Sequence, residues 1–172
     1  MRGPRATSLL ALIVFLAPAC IPEGLAFVQS DKVEITEPDY REKITLPLTI
    51  SWDVKDFEVT GPNGESRADA GYFAVFFAPQ TPVPPGKTLD YVAKDDFVCQ
   101  NTEGCPDDVY FADRGIYETT ETSLTVKRLP DLDAFEGHET HEVTVILLDG
   151  TGRRIGEHAW FTQFLYDREV TF

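Results

Sequence analysis

Over residues 44–54 the chain reads ITLPLTISWDV, with Ile44, Leu46, Leu48, Ile50, Trp52 and Val54 at every second position and Thr, Pro, Ser or Asp between them. A period of two places all six apolar side chains on one side of an extended strand. Such a strand belongs to a sheet with one face in a core and the other in water. Pro47 has no amide hydrogen to give to a ladder, so an edge, a bulge or an interruption is expected there.

The rest of the chain repeats this theme. Val33, Glu34 and Ile35 alternate and run into Glu37, Pro38 and Asp39, a strand followed by a turn. Residues 61–64 (GPNG) make another turn. Residues 72–78 (YFAVFFA) form an unbroken aromatic and β-branched run, the pattern of a strand buried on both faces. Residues 123–129 (SLTVKRL) and 142–148 (EVTVILL) alternate again. The hairpin signal DGTG at 149–152 leads into a last strand over 154–166 that contains Trp160 and Phe161.

Short strands with turns at this spacing predict an all-β sandwich. The segment LTISWDV resembles the Trp-bearing second strand of the fibronectin type III and bacterial Ig-like group. TSLTVKRLPD and HEVTVILLDGTGRRIGE resemble that group's closing three strands. The resemblance covers about residues 32–80 and 120–166 and implies an Ig/fibronectin III-like antiparallel β-sandwich. One departure is His141, which stands at a corner where many such domains carry tyrosine.

Residues 81–120 do not fit a minimal sandwich. Pro82, Pro84, Pro85 and Gly86 predict an extended opening with few amide donors. Leu89, Val92, Ala93 and Phe97 then recur at helical spacing. Pro106 suits a first helical position, Asp107 and Asp108 complement a helix dipole, and Gly115 suits a C-terminal cap. The expectation is an insertion of one or two short helices, clipped by a disulfide between Cys99 and Cys105, which lie close enough in sequence to pair in an oxidising compartment.

The N-terminus bears on destination. Arg2 and Arg5 precede LLALIVFLA at residues 9–17. That run is shorter than the roughly 20 apolar residues a membrane-spanning helix needs and fits the roughly 7–15 of a signal-peptide core. Ala17, Pro18 and Ala19 form an A-x-A cleavage pattern directly before Cys20. The segment LAPAC resembles the lipobox of bacterial lipoproteins. The likeness implies that Cys20 is diacylated and becomes the first mature residue. The leucine stands four residues before the cysteine rather than the usual three, and Ala17 holds the expected place, so simple secretion stays open as the alternative. Three cysteines are an odd number for an exported chain; lipid on Cys20 accounts for the one that Cys99 and Cys105 leave over. The expected organisation is a signal peptide over 1–19, a lipidated tether over 20–31 and one sandwich domain over 32–172.

Composition closes off some classes. Apolar residues are 42% and charged residues 26%, as in folded domains. The net charge of −14 argues against nucleic acid, whose phosphates call for clustered Lys and Arg; the basic residues nowhere run longer than two, as at Arg153 and Arg154. Catalytic signatures are lacking too. His138 and His141 stand three apart, which on a strand sends them to opposite sides, and they read as surface or corner histidines. Asp131, Asp133 and Glu142 hold three positions of a calcium loop, but Phe135 and Glu136 replace an oxygen ligand and the required glycine. No serine lies in a G-x-S-x-G elbow. Asp95, Asp96, Asp107, Asp108 and Asp113 surround the expected disulfide and are the candidates for binding a hard cation. Trp52 and Trp160 are the candidates for stacking on a sugar, Trp52 being assigned to the core by its strand face.

The resulting expectation is a non-catalytic binding or structural module without cofactor, anchored in the cell envelope through lipid on Cys20 and contacting an envelope protein or a glycan. A carbohydrate- or cation-dependent adhesion domain is the alternative.

Overall fold

The computed structural model describes residues 32–129 and 139–166. The leader, Cys20, the tether, Asp131, Asp133 and His138 lie outside the described residues. Among the described residues nine strands form two sheets. The smaller has the order β1 (Val33–Glu37), β3 (Leu48–Val54), β7 (Ser123–Val126), both pairings antiparallel. The larger runs β2 (Lys43–Ile44), β9 (Trp160–Tyr166), β8 (Glu139–Leu148), β5 (Ala70–Phe77), β4 (Glu58–Val59), with β6 (Ile116–Thr119) also on β5. Its long pairings are antiparallel, while the two short ones, β2 with β9 and β4 with β5, are parallel.

The alternating run at 44–54 is divided between the sheets. Ile44 pairs with Tyr166 in the larger sheet, and Leu48 pairs with Val126 in the smaller. The ladder breaks at 45–47, around the proline. The pattern stays unbroken in sequence because both sheets face one core, to which Ile44, Leu46, Leu48, Ile50 and Trp52 all contribute. Phe73, Val75, Phe77, Val143, Val145, Leu147, Trp160 and Phe164 supply the opposite wall. At its centre Trp52 meets Phe73 edge to face, the ring centroids 5.3 Å apart, the geometry aromatic quadrupoles favour.

A second core lies on the other face of the larger sheet. Tyr72, Ala74 and Phe76 of β5 and Ile146 and Leu148 of β8 point there and are covered by Val83, Leu89 and Phe111. β5 is therefore buried along its whole length, as its unbroken apolar run predicts. β8 departs from expectation: from Val143 to Leu148 it is covered on both faces, since the segment between β5 and β6 shields Ile146 and Leu148 from water.

The strand expected over 154–166 also differs. Asp149 and Gly152 close a tight turn, Arg154 bridges back to Leu148, and residues 155–159 then loop out before the ladder resumes at Trp160. Asp149 organises that turn. Its buried carboxylate accepts hydrogen bonds from Ser66, from the Thr151 hydroxyl and amide, and from the Arg153 amide. Gly71 sits where β5 passes closest to this turn; a Cβ there would lie 1.9 Å from the Leu148 carbonyl oxygen, and φ is +150°.

Candidate functional site

The segment between β5 and β6 is the part of the chain that the packing of the two sheets on one core leaves unexplained. Its proline-rich opening lies along the larger sheet with Val83 buried. Arg154 fastens it there: the guanidinium donates to the Val83 carbonyl at 2.6 Å and to the Glu157 carbonyl at 2.8 Å, and backbone bonds join Gly86 and Lys87 to Arg154. A 3-10 turn at Leu89–Ala93 follows, with Leu89 and Ala93 against the sheet.

Two short helices come next, α1 (Phe97–Gln100) and α2 (Asp108–Asp113). Helices of four and six residues do not persist alone, because nucleation costs more than so few backbone bonds return. Each has a capping aspartate. Asp96 Oδ1 accepts from the amides of Val98 and Cys99 at 3.1 and 3.0 Å. Asp107 Oδ1 accepts from the Tyr110 amide at 2.8 Å. Both satisfy orphan first-turn donors. Asp107 thus takes the cap, and Pro106 stands before the helix rather than at its first position. Gly115, at φ +72°, ends α2 as expected.

The helices are tied together twice. Cys99 and Cys105 form the expected disulfide, with Cα atoms 5.2 Å apart. Asp96 Oδ2 accepts from the Tyr110 hydroxyl at 3.1 Å and from Arg114 at 3.0 Å, and the Arg114 guanidinium lies 3.5 Å from the Tyr110 ring centroid. Hydrogen bonding from the Cys99 amide, together with Tyr110 and Arg114, holds the Asp96 carboxyl below its ordinary range. Phe111 completes the attachment by burying its ring in the second core.

Among the five aspartates singled out for a cation, Asp96 is spent on this clamp, Asp107 caps α2, Asp95 pairs with Lys94, and Asp113 pairs with Arg128 at 2.9 Å. Asp108 lies instead near Glu118 on β6, whose carboxylate accepts from the Tyr72 hydroxyl at 3.2 Å. Burial first, and then the charges of Asp108 and Asp90, push the Glu118 carboxyl up. Among the described residues no group of three or more His, Cys, Asp or Glu could hold a metal ion.

Trp52 and Trp160 are both core residues, so neither offers a ring to a sugar. His141 was expected at the surface or a corner and is instead 1% exposed within β8, stacked on Phe164 at 5.7 Å between centroids. No helix among the described residues is long and apolar enough to cross a membrane.

The feature that sequence reasoning missed is apolar. Phe97, Val98 and Val109 are 77%, 73% and 67% exposed, on the two clipped helices. Phe97 was expected to continue the helical repeat of Leu89, Val92 and Ala93. The repeat ends at Ala93 because Asp96 starts a new helix and resets the phase. The signal was present: an aspartate directly before the Phe97-Val98 pair is a helix start.

No family model matches the chain, and neither a curated protein nor a solved structure matches it.

Proposed function

We propose that this chain is an exported, lipid-anchored, non-catalytic binding module of the Ig/fibronectin III-like kind, held to the cell envelope through Cys20 and making contacts with its disulfide-clipped insertion. The observation that carries the reading is the mounting of Phe97, Val98 and Val109. Three large apolar side chains remain in water on helices that two caps, a disulfide and a buried phenylalanine fix to the sheet. Isolated exposed apolar residues are ordinary, but a group of them on a braced insertion marks a contact region.

The strand order supports the finer fold assignment. β1, β3 and β7 face a sheet in which β9, β8 and β5 are neighbours, so the chain passes repeatedly from one sheet to the other as a Greek-key sandwich does. For export, the support is the leader and lipobox in the sequence and the paired cysteines, since disulfides persist in oxidising compartments. The adhesion alternative has less behind it, with both tryptophans buried and the aspartates dispersed among caps and ion pairs.

Growth of the native cells with a labelled fatty acid tests the anchor. The expected result is label on the protein, loss of label in Cys20→Ala, and release of that variant from the membrane fraction. Wild-type protein that carries no label and floats free of membranes contradicts the anchor and leaves simple secretion.

A further inference from the structure

We propose that Phe97, Val98 and Val109 form the contact face for a protein partner presenting an apolar groove bordered by Lys or Arg. This deepens the reading of the chain as a binding module and rests on it. The argument combines exposure with charge. The apolar residues are flanked in sequence by acidic ones: Asp95 and Asp96 directly precede Phe97, and Asp107 and Asp108 directly precede Val109, all solvent-exposed apart from the half-buried Asp96, while Glu103 lies exposed in the loop between the helices. The local cations are already engaged, Lys94 by Asp95 and Arg114 by Asp96. Among the described residues, Glu103, Asp107 and Asp108 pair with no cation.

This rim decides among occupants. An anionic lipid surface attracts basic segments and repels acidic ones, so a bilayer is disfavoured. A second copy meeting the first across a two-fold axis would bring like rims together, and like charges in register oppose association. A groove with Lys or Arg at its edges satisfies both parts of the face. Its charges steer encounter and its apolar floor takes the Phe97 ring, the division of labour usual at interfaces. The attachment of the helices adds to this: with Asp96, the disulfide and Phe111 fixing them, little ordering is left to be lost on binding.

Photocrosslinking in the native cells, with the full-length protein, tests the proposal. Benzoylphenylalanine replaces Val98 in one strain and Tyr40, which is 65% exposed on the turn after β1, in another. The expected result is a single protein adduct at position 98 whose crosslinked peptide, read by mass spectrometry, carries apolar residues within a few positions of Lys or Arg. Phe97→Ser is expected to cut the yield about tenfold, and so is Asp95→Lys with Asp108→Lys, each variant retaining its disulfide and melting temperature. An adduct to lipid, to a second copy, or to a peptide without basic residues overturns the proposal, as does a yield indifferent to both variants. An adduct at position 40 with silence at 98 overturns it while leaving the binding-module reading in place. Silence at both positions removes both.

Discussion

Asp96, the N-terminal cap of α1, and Arg114 at the end of α2 are joined at 3.0 Å across eighteen residues of sequence, with the Tyr110 hydroxyl sharing the same carboxylate oxygen. One side chain thereby caps a helix with one oxygen and braces its neighbour with the other. Asp96→Ala is expected to raise amide exchange in 97–100 and 108–113 several-fold while protection in β5 and β8 stays unchanged. Hydrogen exchange followed by NMR checks this; equal loss of protection in the strands would mean that the helical segment and the two sheets open as one unit.

Phe111 should be the main apolar fastening of the insertion. Replacing a buried Phe by Ala in a packed core costs about 3 kcal/mol or more. Phe111→Ala is expected to weaken denaturant resistance by about that amount and to expose Ile146 and Leu148, giving dye binding that the wild type lacks. Urea titration read by fluorescence provides the measurement. A loss below about 1 kcal/mol would show that Arg154 and the backbone bonds hold the segment without it.

Gly71 is required by space as well as by conformation. A methyl group at that position would meet the Leu148 carbonyl oxygen at 1.9 Å and the Asp149 Cα at 2.8 Å, and backbone atoms of a buried strand cannot swing aside. Gly71→Ala is expected to cost about 3 kcal/mol or more, or to abolish soluble expression. Thermal unfolding followed by circular dichroism, beside Gly64→Ala as a control with open space around it, separates the steric cost from the φ cost.

Asp149 gives the fold a pH dependence of known sign. Burial alone pushes its carboxyl up, but hydrogen bonds from Thr151, Ser66 and Arg153 outweigh that and hold it below its ordinary value. A carboxyl lowered on folding binds fewer protons in the native state. Its contribution is therefore complete above the unfolded value and is lost as pH falls through the folded one. Melting temperature should drop as pH falls below about 5 and go on dropping through the lowered folded-state value, and Asp149→Asn should flatten that drop while lowering the plateau near neutrality. Identical slopes in the two proteins would refute the assignment.

Much of the two-sheet fold was legible because alternation and side-chain burial are the same fact seen twice. The strands over 33–37, 48–54, 70–77 and 139–148 overlap the period-two or all-apolar runs at 33–35, 44–54, 72–78 and 142–148. The change of sheet between Ile44 and Leu48 left no mark on the pattern, since both sheets face one core and periodicity reports the face alone. The second core was hidden for a related reason. Ile146 and Leu148 read as members of a half-exposed strand until a distant segment covers them. β6 went unseen inside the expected insertion because Ile116–Thr119 is too short for alternation to register. In the candidate site the disulfide and the Gly115 cap were readable from local chemistry. The clamp on Asp96 was not, because it pairs residues whose approach depends on how the two helices fold back.

The proposed export is what the proposed binding role depends on, since it would supply an oxidising milieu for Cys99 and Cys105 and an anchor at Cys20. The intact mass of the protein purified from its native cells without reductant tests it in one reading. The predicted result is a chain beginning at Cys20, heavier than its sequence by fatty acyl groups and lighter by the two hydrogens lost in the disulfide. A mass corresponding to retained Met1 with three free thiols would contradict it.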